Sequence, residues 1–302
     1  MNFKSICLFL SAFFWTQTSM AKVNIVTTTS DLQALATAVG GERVAVDGLI
    51  KGSQDPHHLE AKPSFVLKVS HADLLVSNGL GLEAAWLPKV LAGARNKNIL
   101  PGSLGHFIAA EGITAIDIPL TNVSRADGDV HQEGNPHITL DPERVIIIAS
   151  ALAIRLSELD KDGADYYQQR AGVFVKEITS KIPSWKVRLK ATGISKVITY
   201  HKTLNYFLTR FQIEPAGYLE PHPGVTPTAR HILDTISTAK TGQIKLILVE
   251  NFFDDTAAKR IAAEAGGIRI KTVPVAVGGE PDIQTFIDLY ERIVQAVEGK
   301  SS

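Results

Sequence analysis

Three histidines stand where an imidazole could reach a shared site: His57 in Asp55-Pro56-His57-His58, His137 in Asn135-Pro136-His137, and His201 directly after Val197-Ile198-Thr199-Tyr200. His57 and His137 occupy corresponding Pro-His turns, and His201 follows a short β-rich run. Ligands of open α/β sheets collect where strands release their carboxyl ends, which is where His201 falls. Neutral imidazole suits Zn²⁺ and most later first-row divalent ions. Three such nitrogens, with a carboxylate or water, complete a tetrahedron at about 2.0–2.2 Å. The long separations between the three carry no information by themselves, so their contexts must decide. Because imidazole must be neutral to bind, affinity should fall as pH drops below the ordinary histidine value of about 6.5.

The elements that would have to position these residues alternate between short apolar runs and helical patterns, the grammar of strand and crossover helix in a parallel sheet. In the first half, strands are expected over 23–29, 43–50 and 73–77. Helices are expected over 31–39, with Ser30 as N-cap and Gly40-Gly41 closing it, and over 64–71 and 82–94. The second half repeats the grammar, with strands over 196–200, 216–220, 244–249 and 268–275 and helices over 203–211, 228–239, 255–265 and 283–297. No sequence repeat of about 20–50 residues is visible, which points to two similar lobes and not a solenoid. Between the lobes the helical pattern runs over 142–159 and again over 164–189, broken near Asp160-Lys161-Asp162-Gly163. Pro183 lacks an N–H and clashes with the carbonyl four residues back, so a kink or restart is expected near Ser184-Trp185. The expected organisation is an α/β fold of two βα lobes with parallel sheets: residues 22–160, an interlobe helix over 161–191, and residues 192–302. A helix crossing between lobes would hinder free hinging.

Composition bounds the function class. The 302 residues carry 31 Lys+Arg against 31 Asp+Glu with 45% apolar residues, which excludes a disordered chain and a strongly basic nucleic-acid binder. Residues 1–21 hold one lysine, an apolar run over 6–15, and then Ser19-Met20-Ala21. That run is too short for a membrane span of about 20 residues, and small residues at −3 and −1 suit signal peptidase. A cleaved secretory signal over 1–21 is therefore expected. The single cysteine, Cys7, lies inside it, so the remainder can form neither a disulfide nor a thiolate metal site. Lys22, not cysteine, follows the expected cleavage point, which favours a soluble periplasmic protein without stable membrane insertion over a lipid-anchored one.

Taken together, these contexts resemble the metal-specific solute-binding proteins of bacterial ABC importers for zinc and manganese, zinc-uptake receptor type. The resemblance covers essentially all of the chain beyond the leader. It rests on Asp55-Pro56-His57 with Pro63-Ser64, on Ala72-Asp73-Leu74-Leu75-Val76-Ser77-Asn78-Gly79-Leu80-Gly81-Leu82-Glu83 with Trp86-Leu87, and on Asn135-Pro136-His137 with Leu140-Asp141-Pro142. Thr199-Tyr200-His201 with Tyr206-Phe207, and Val249-Glu250, complete it. The resemblance implies two βα lobes, a rigid interlobe helix and a metal in the cleft, with His57, His137 and His201 as ligands. Manganese-type members replace the third histidine with a carboxylate, so His201 tilts the expectation toward zinc. Many members supply a fourth ligand Asp after a late strand. Here the matching stretch, Thr272-Val273-Pro274-Val275-Ala276-Val277-Gly278-Gly279, has no carboxylate. Glu220, followed by Pro221-His222-Pro223-Gly224, is the candidate to fill the position, with His222 or a water as alternatives. His58 is either a partner behind the ligands or solvated. Glu250 is a candidate to hydrogen-bond a ligating imidazole, or a helix N-terminal acid. The loop over 122–134, long and His-rich in some zinc-type members, holds only Asp127, Asp129, His131 and Glu133, so a modest role in metal capture is expected.

The expected function is a monomeric periplasmic receptor that captures Zn²⁺ as cargo, with Mn²⁺ as the alternative ion, and delivers it to an inner-membrane ABC permease. A closed ligand set holds an ion without doing chemistry, whereas catalysis needs an open position, so no enzyme is expected. The rival from another class is a secreted zinc-dependent hydrolase using Glu220 as general base. It lacks a His-Glu-x-x-His helix or a nucleophile elbow. An adhesin is a third reading that nothing in the composition supports.

Overall fold

A computed structural model describes residues 22–57, 59–121, 128 and 130–300. The expected leader over 1–21, His58, Asp127 and Asp129 lie outside the described residues. The first lobe is built on β1 (Val23–Thr27), β2 (Val44–Gly48), β3 (Leu74–Ser77) and β4 (His106–Ile108), hydrogen-bonded in the order β2-β1-β3-β4 with every pairing parallel. The second uses β5 (Lys196–Thr199), β6 (Glu214–Tyr218), β7 (Leu246–Glu250) and β8 (Arg269–Val273) in the order β6-β5-β7-β8, again all parallel. The two orders are the same topology shifted by four strands, so the lobes repeat in space what the sequence does not repeat in letters.

Period-two alternation assigns each strand residue to a layer. Ile25, Leu74 and Val76 face a central core, while Val26 and Leu75 face the outer helices α2 (Pro63–Ser70) and α3 (Leu87–Ala94) through Phe65, Val69, Trp86 and Val90. In the second lobe Val197, Leu246 and Leu248 face the central core. Ile198, Ile247 and Val249 face α7 (Ala229–Thr241) and α8 (Thr256–Glu264). The central core is continuous between the lobes. It is filled by α1 (Ser30–Gly40), α4 (Pro142–Leu159), α5 (Ala164–Ala191), α6 (Asn205–Arg210) and α9 (Phe286–Glu298).

Helix α5 is the expected interlobe strut, with 28 residues spanning about 42 Å. Its first turns are tied to the first lobe: the Glu42 N–H donates to Tyr166 Oη at 3.1 Å, and Arg170 Nε donates to the Ala38 carbonyl at 2.8 Å. Its later turns are tied to the second. Phe174 packs edge-on to Phe286, Trp185 packs edge-on to Tyr290, and Arg188 bridges Glu291 and Glu298, each at 2.7 Å. The kink or restart expected at Pro183 does not interrupt the helix, which runs unbroken to Ala191. Pro183 and Thr179, whose carbonyl loses its donor, both lie on the exposed face, where water can satisfy that oxygen. Ile178, Trp185 and Leu189 hold the buried face in register.

Other departures are local. The N-cap of α1 is Thr29, whose hydroxyl accepts from the Leu32 N–H, and not Ser30. Helix α3 starts at Leu87 and not at residue 82, because 79–86 turn twice around Gly79 and Gly81, both at positive φ. Strand β4 was not anticipated: it has three residues and begins with a polar histidine.

Candidate metal centre

His57, His137 and His201 converge at the carboxyl-terminal ends of the strands, between the two sheets. A potential ligand atom from each lies within 4.8 Å of the other two. Their ring centroids form a nearly equilateral triangle, 5.2 Å for His57–His137, 5.7 Å for His57–His201 and 5.4 Å for His137–His201. Planes inclined at 59–89° are what rings arranged around a common point adopt, in contrast to a stack.

Each histidine is fixed by its local sequence. In Asp55-Pro56-His57 the aspartate Oδ1 accepts the backbone N–H of His57 at 2.9 Å and contacts its Nδ1 at 2.8 Å, while Trp86 Nε1 donates to the Pro56 carbonyl. The same turn recurs at Asn135-Pro136-His137, where Asn135 Oδ1 accepts the His137 N–H at 3.0 Å. That second turn is held from both lobes. Asn78 Nδ2 donates to the Pro136 carbonyl, Asn135 Nδ2 donates to the Lys202 carbonyl, and Tyr206 Oη donates to the Asn135 carbonyl at 2.7 Å. His201 ends the run that starts with β5, its N–H donating to Glu250 Oε1 and its Nδ1 lying 2.7 Å from Glu220 Oε2. A carboxylate at Nδ1 makes that nitrogen the proton-bearing one and leaves the lone pair on Nε2, so Asp55 and Glu220 select the tautomer that presents Nε2 to an ion.

The electrostatics disfavour a proton on His137 when no ion is bound. Burial, and then the neighbouring imidazoles of His57, His201 and His131, hold His137 well below the usual histidine range. Burial pushes the Glu250 carboxyl up to about 8, so it sits under the His201 backbone largely protonated at neutral pH. A neutral His137 needs no proton removed before a cation enters.

The structure places the other predicted residues as follows. Glu220 is buried but stands behind His201 and outside the group of converging ligand atoms, and its Oε2 also accepts from the Gly224 N–H. His222 is exposed. Glu250 contacts the His201 backbone and not an imidazole. Val277, in the stretch without a carboxylate, gives its N–H to Asp31 Oδ1 at 2.7 Å. One histidine of the 122–134 loop comes much closer than sequence reasoning placed it: the His131 ring lies 5.3 Å from that of His57. Its lone position in a polar loop gave no signal for this.

Residues 25–299 match the family model described as ZnuA, zinc-uptake complex component A periplasmic. The chain belongs to this family. It is 24% identical over 294 residues to the metal ABC transporter substrate-binding lipoprotein ScbA of Streptococcus cristatus, covering 95% of this chain and 91% of that protein. It is 23% identical over 291 residues to the manganese ABC transporter substrate-binding lipoprotein PsaA of Streptococcus pneumoniae, covering 94% and 90%. Among solved structures, the crystal structure of ZnuA superposes with a TM-score of 0.76 at 25% identity, over 93% of this chain and all of that one. The two-lobed α/β fold with its long helix is therefore the family fold, and the protein is a metal-binding substrate-binding protein of an ABC importer. Proteins of this family are receptors and not enzymes; they bind divalent metal and work with a membrane permease. Among the described residues, no helix is long and apolar enough to cross a membrane.

Proposed function

We propose that the ion carried is Zn²⁺, held by His57, His137 and His201, in a monomeric receptor that resides in the periplasm and hands the ion to an inner-membrane permease. The observation that carries this reading is the convergence of three imidazoles with, among the described residues, no carboxylate in the group of ligand atoms. Imidazole donors suit zinc, while the harder Mn²⁺ is better served by carboxylate and carbonyl oxygen. We assign Glu220 to orienting His201 from behind, since a carboxylate engaged with Nδ1 fixes the ring for an ion at Nε2. In the division of the chain we propose, residues 22–160 and 192–302 contribute ligands from two lobes and 161–191 keeps them in register.

Elemental analysis of the exported protein, joined to competition titration of Zn²⁺ against Mn²⁺, tests the reading. The expected result is one equivalent of zinc that excess manganese does not displace, lost in His201→Ala. Preferential retention of manganese would overturn the zinc assignment. It would make the chain a manganese receptor, as its relative PsaA is named.

A further inference from the structure

We propose that His131 supplies the fourth ligand, closing a four-imidazole site; this rests on the three-histidine reading above and extends it. Three observations converge. The Nε2 of His131 is buried and has no hydrogen-bond partner, as is the Nε2 of His137, and a buried nitrogen left in this state costs free energy unless something binds it. Its ring stands 5.3 Å from that of His57, about the spacing found within the trio, and it lines one cavity together with His137 and His201. The backbone opposite is shaped to admit it. Gly81 has φ +74°, and a Cβ there would stand 3.1 Å from His131 Nδ1, so a glycine gives the imidazole room that any other residue would narrow.

The competing occupant is a water. The cavity on the other side of His57 and His201 is walled by Tyr200, Phe252 and Phe253, with Tyr200 and Phe253 stacked at 4.1 Å. Phenylalanine rings offer no ligand atom, and the nearby carboxylates Asp55 and Glu220 are already engaged with Nδ1 of His57 and His201. The Tyr200 and Thr226 hydroxyls are the side-chain groups left there for a water, whereas His131 brings a lone pair that can bind an ion directly. His131 lies outside the 4.8 Å group formed by the trio, so its imidazole moves inward when an ion is present and completes the tetrahedron last. Zn²⁺ with four neutral imidazoles carries two positive charges, which the carboxylates of Asp55 and Glu220 balance from behind the ligands.

The experiment is X-ray absorption at the zinc edge, with zinc affinity by chelator competition, on the whole protein, on His131→Ala and His131→Gln, and on His201→Ala as reference. Melting of each metal-free form verifies that it is folded. The wild type should show four imidazole nitrogens near 2.0 Å. Both His131 variants should show three nitrogens and one oxygen, with affinity reduced about tenfold or more. A wild type showing three imidazoles and an oxygen, with both His131 variants indistinguishable from it, would overturn the fourth ligand and leave the trio standing. A wild type that binds no zinc, or a His201→Ala variant that binds as the wild type does, would overturn the trio and the fourth ligand together.

Discussion

At the scale of single residues, two of the three converging histidines differ from the other histidines in what stands at their second nitrogen. Asp55 and Glu220 each place a carboxylate oxygen against Nδ1 of a converging histidine, at 2.8 and 2.7 Å. His106 instead meets a serine hydroxyl, Oγ of Ser77, and His231 meets the Tyr218 carbonyl. Glu220→Gln should therefore keep the trio and weaken it: an amide can still face Nδ1, but it stabilises the tautomer less and removes a balancing charge. Zinc affinity is expected to fall about 10–100-fold with the metal-free melting temperature nearly unchanged, measured by chelator competition and calorimetry. An undiminished affinity would show that the carboxylate charge contributes nothing to the site. The trio itself was legible in the sequence because two of its members sit in Asx-Pro-His turns and the third ends a strand, local patterns with a local cause. The position of Glu220 against His201 Nδ1 was not. Whether a carboxylate faces an ion or the back of an imidazole depends on a separation of a few ångströms, and the order of residues along a strand end does not encode it.

At the scale of elements, reading the sequence succeeded wherever burial on one face imposes a period, and failed where the element is short or its stability comes from elsewhere. Strands β1, β3, β5 and β7 are buried on both faces and show as apolar runs. Strand β4, three residues long with His106 bonded to Ser77, has no such run and owes its place to pairing with β3. At Pro183 the helix does not restart. The local rule, that proline breaks a helix interior, is correct about the lost hydrogen bond but does not count the packing of α5 against α9 through Trp185, Ile178 and Leu189. Tertiary packing carries the helix through. It follows that Pro183→Ala should restore one backbone hydrogen bond on the exposed face and raise stability by about 1–2 kcal/mol, the gain being partly offset by the extra freedom of the unfolded chain. Urea denaturation of the two metal-free proteins measures it. A loss of stability would mean that the proline shapes α5 in a way its packing requires. Arg188→Ala acts a little further along the same strut. It leaves Glu291 and Glu298 without their shared guanidinium and should cost about 1–3 kcal/mol, more at pH 7 than at pH 3. The sign follows from Glu298, whose carboxyl Arg188 holds down at about 2, so its stabilisation is present above the ordinary carboxylate value and lost as pH falls toward 2.

At the scale of the molecule, the proposed ligands come from segments far apart along the chain while α5 ties together the lobes that carry them, so on that reading metal binding and lobe packing form one equilibrium. Saturating zinc should raise the melting temperature, by an amount equivalent to about 2.7 kcal/mol when the ion stands at a hundred times its dissociation constant, and chelation should reverse it. A second link between the lobes is independent of the metal. Asp31, in the first turn of α1, accepts from Thr139 Oγ1 and from the Val277 N–H, joining the first-lobe helix to the segment after β8. Burial pushes this carboxyl up to about 6 against the two hydrogen bonds that oppose the shift. The folded protein therefore holds a proton that the unfolded chain releases near pH 4. The stability this contributes is complete below that value and is lost as pH rises through about 6, a change of about 2–3 kcal/mol. Asp31→Asn removes the titration while keeping a side chain of the same shape with one carbonyl oxygen for the Val277 N–H. Comparing metal-free wild type and Asp31→Asn by urea denaturation at pH 4.5 and 7.5, the variant should gain on the wild type as pH rises. A difference in stability that is the same at both values would mean that Asp31 is ionised in the folded protein across this range, with its charge held by the helix terminus and the two donors and not suppressed by burial.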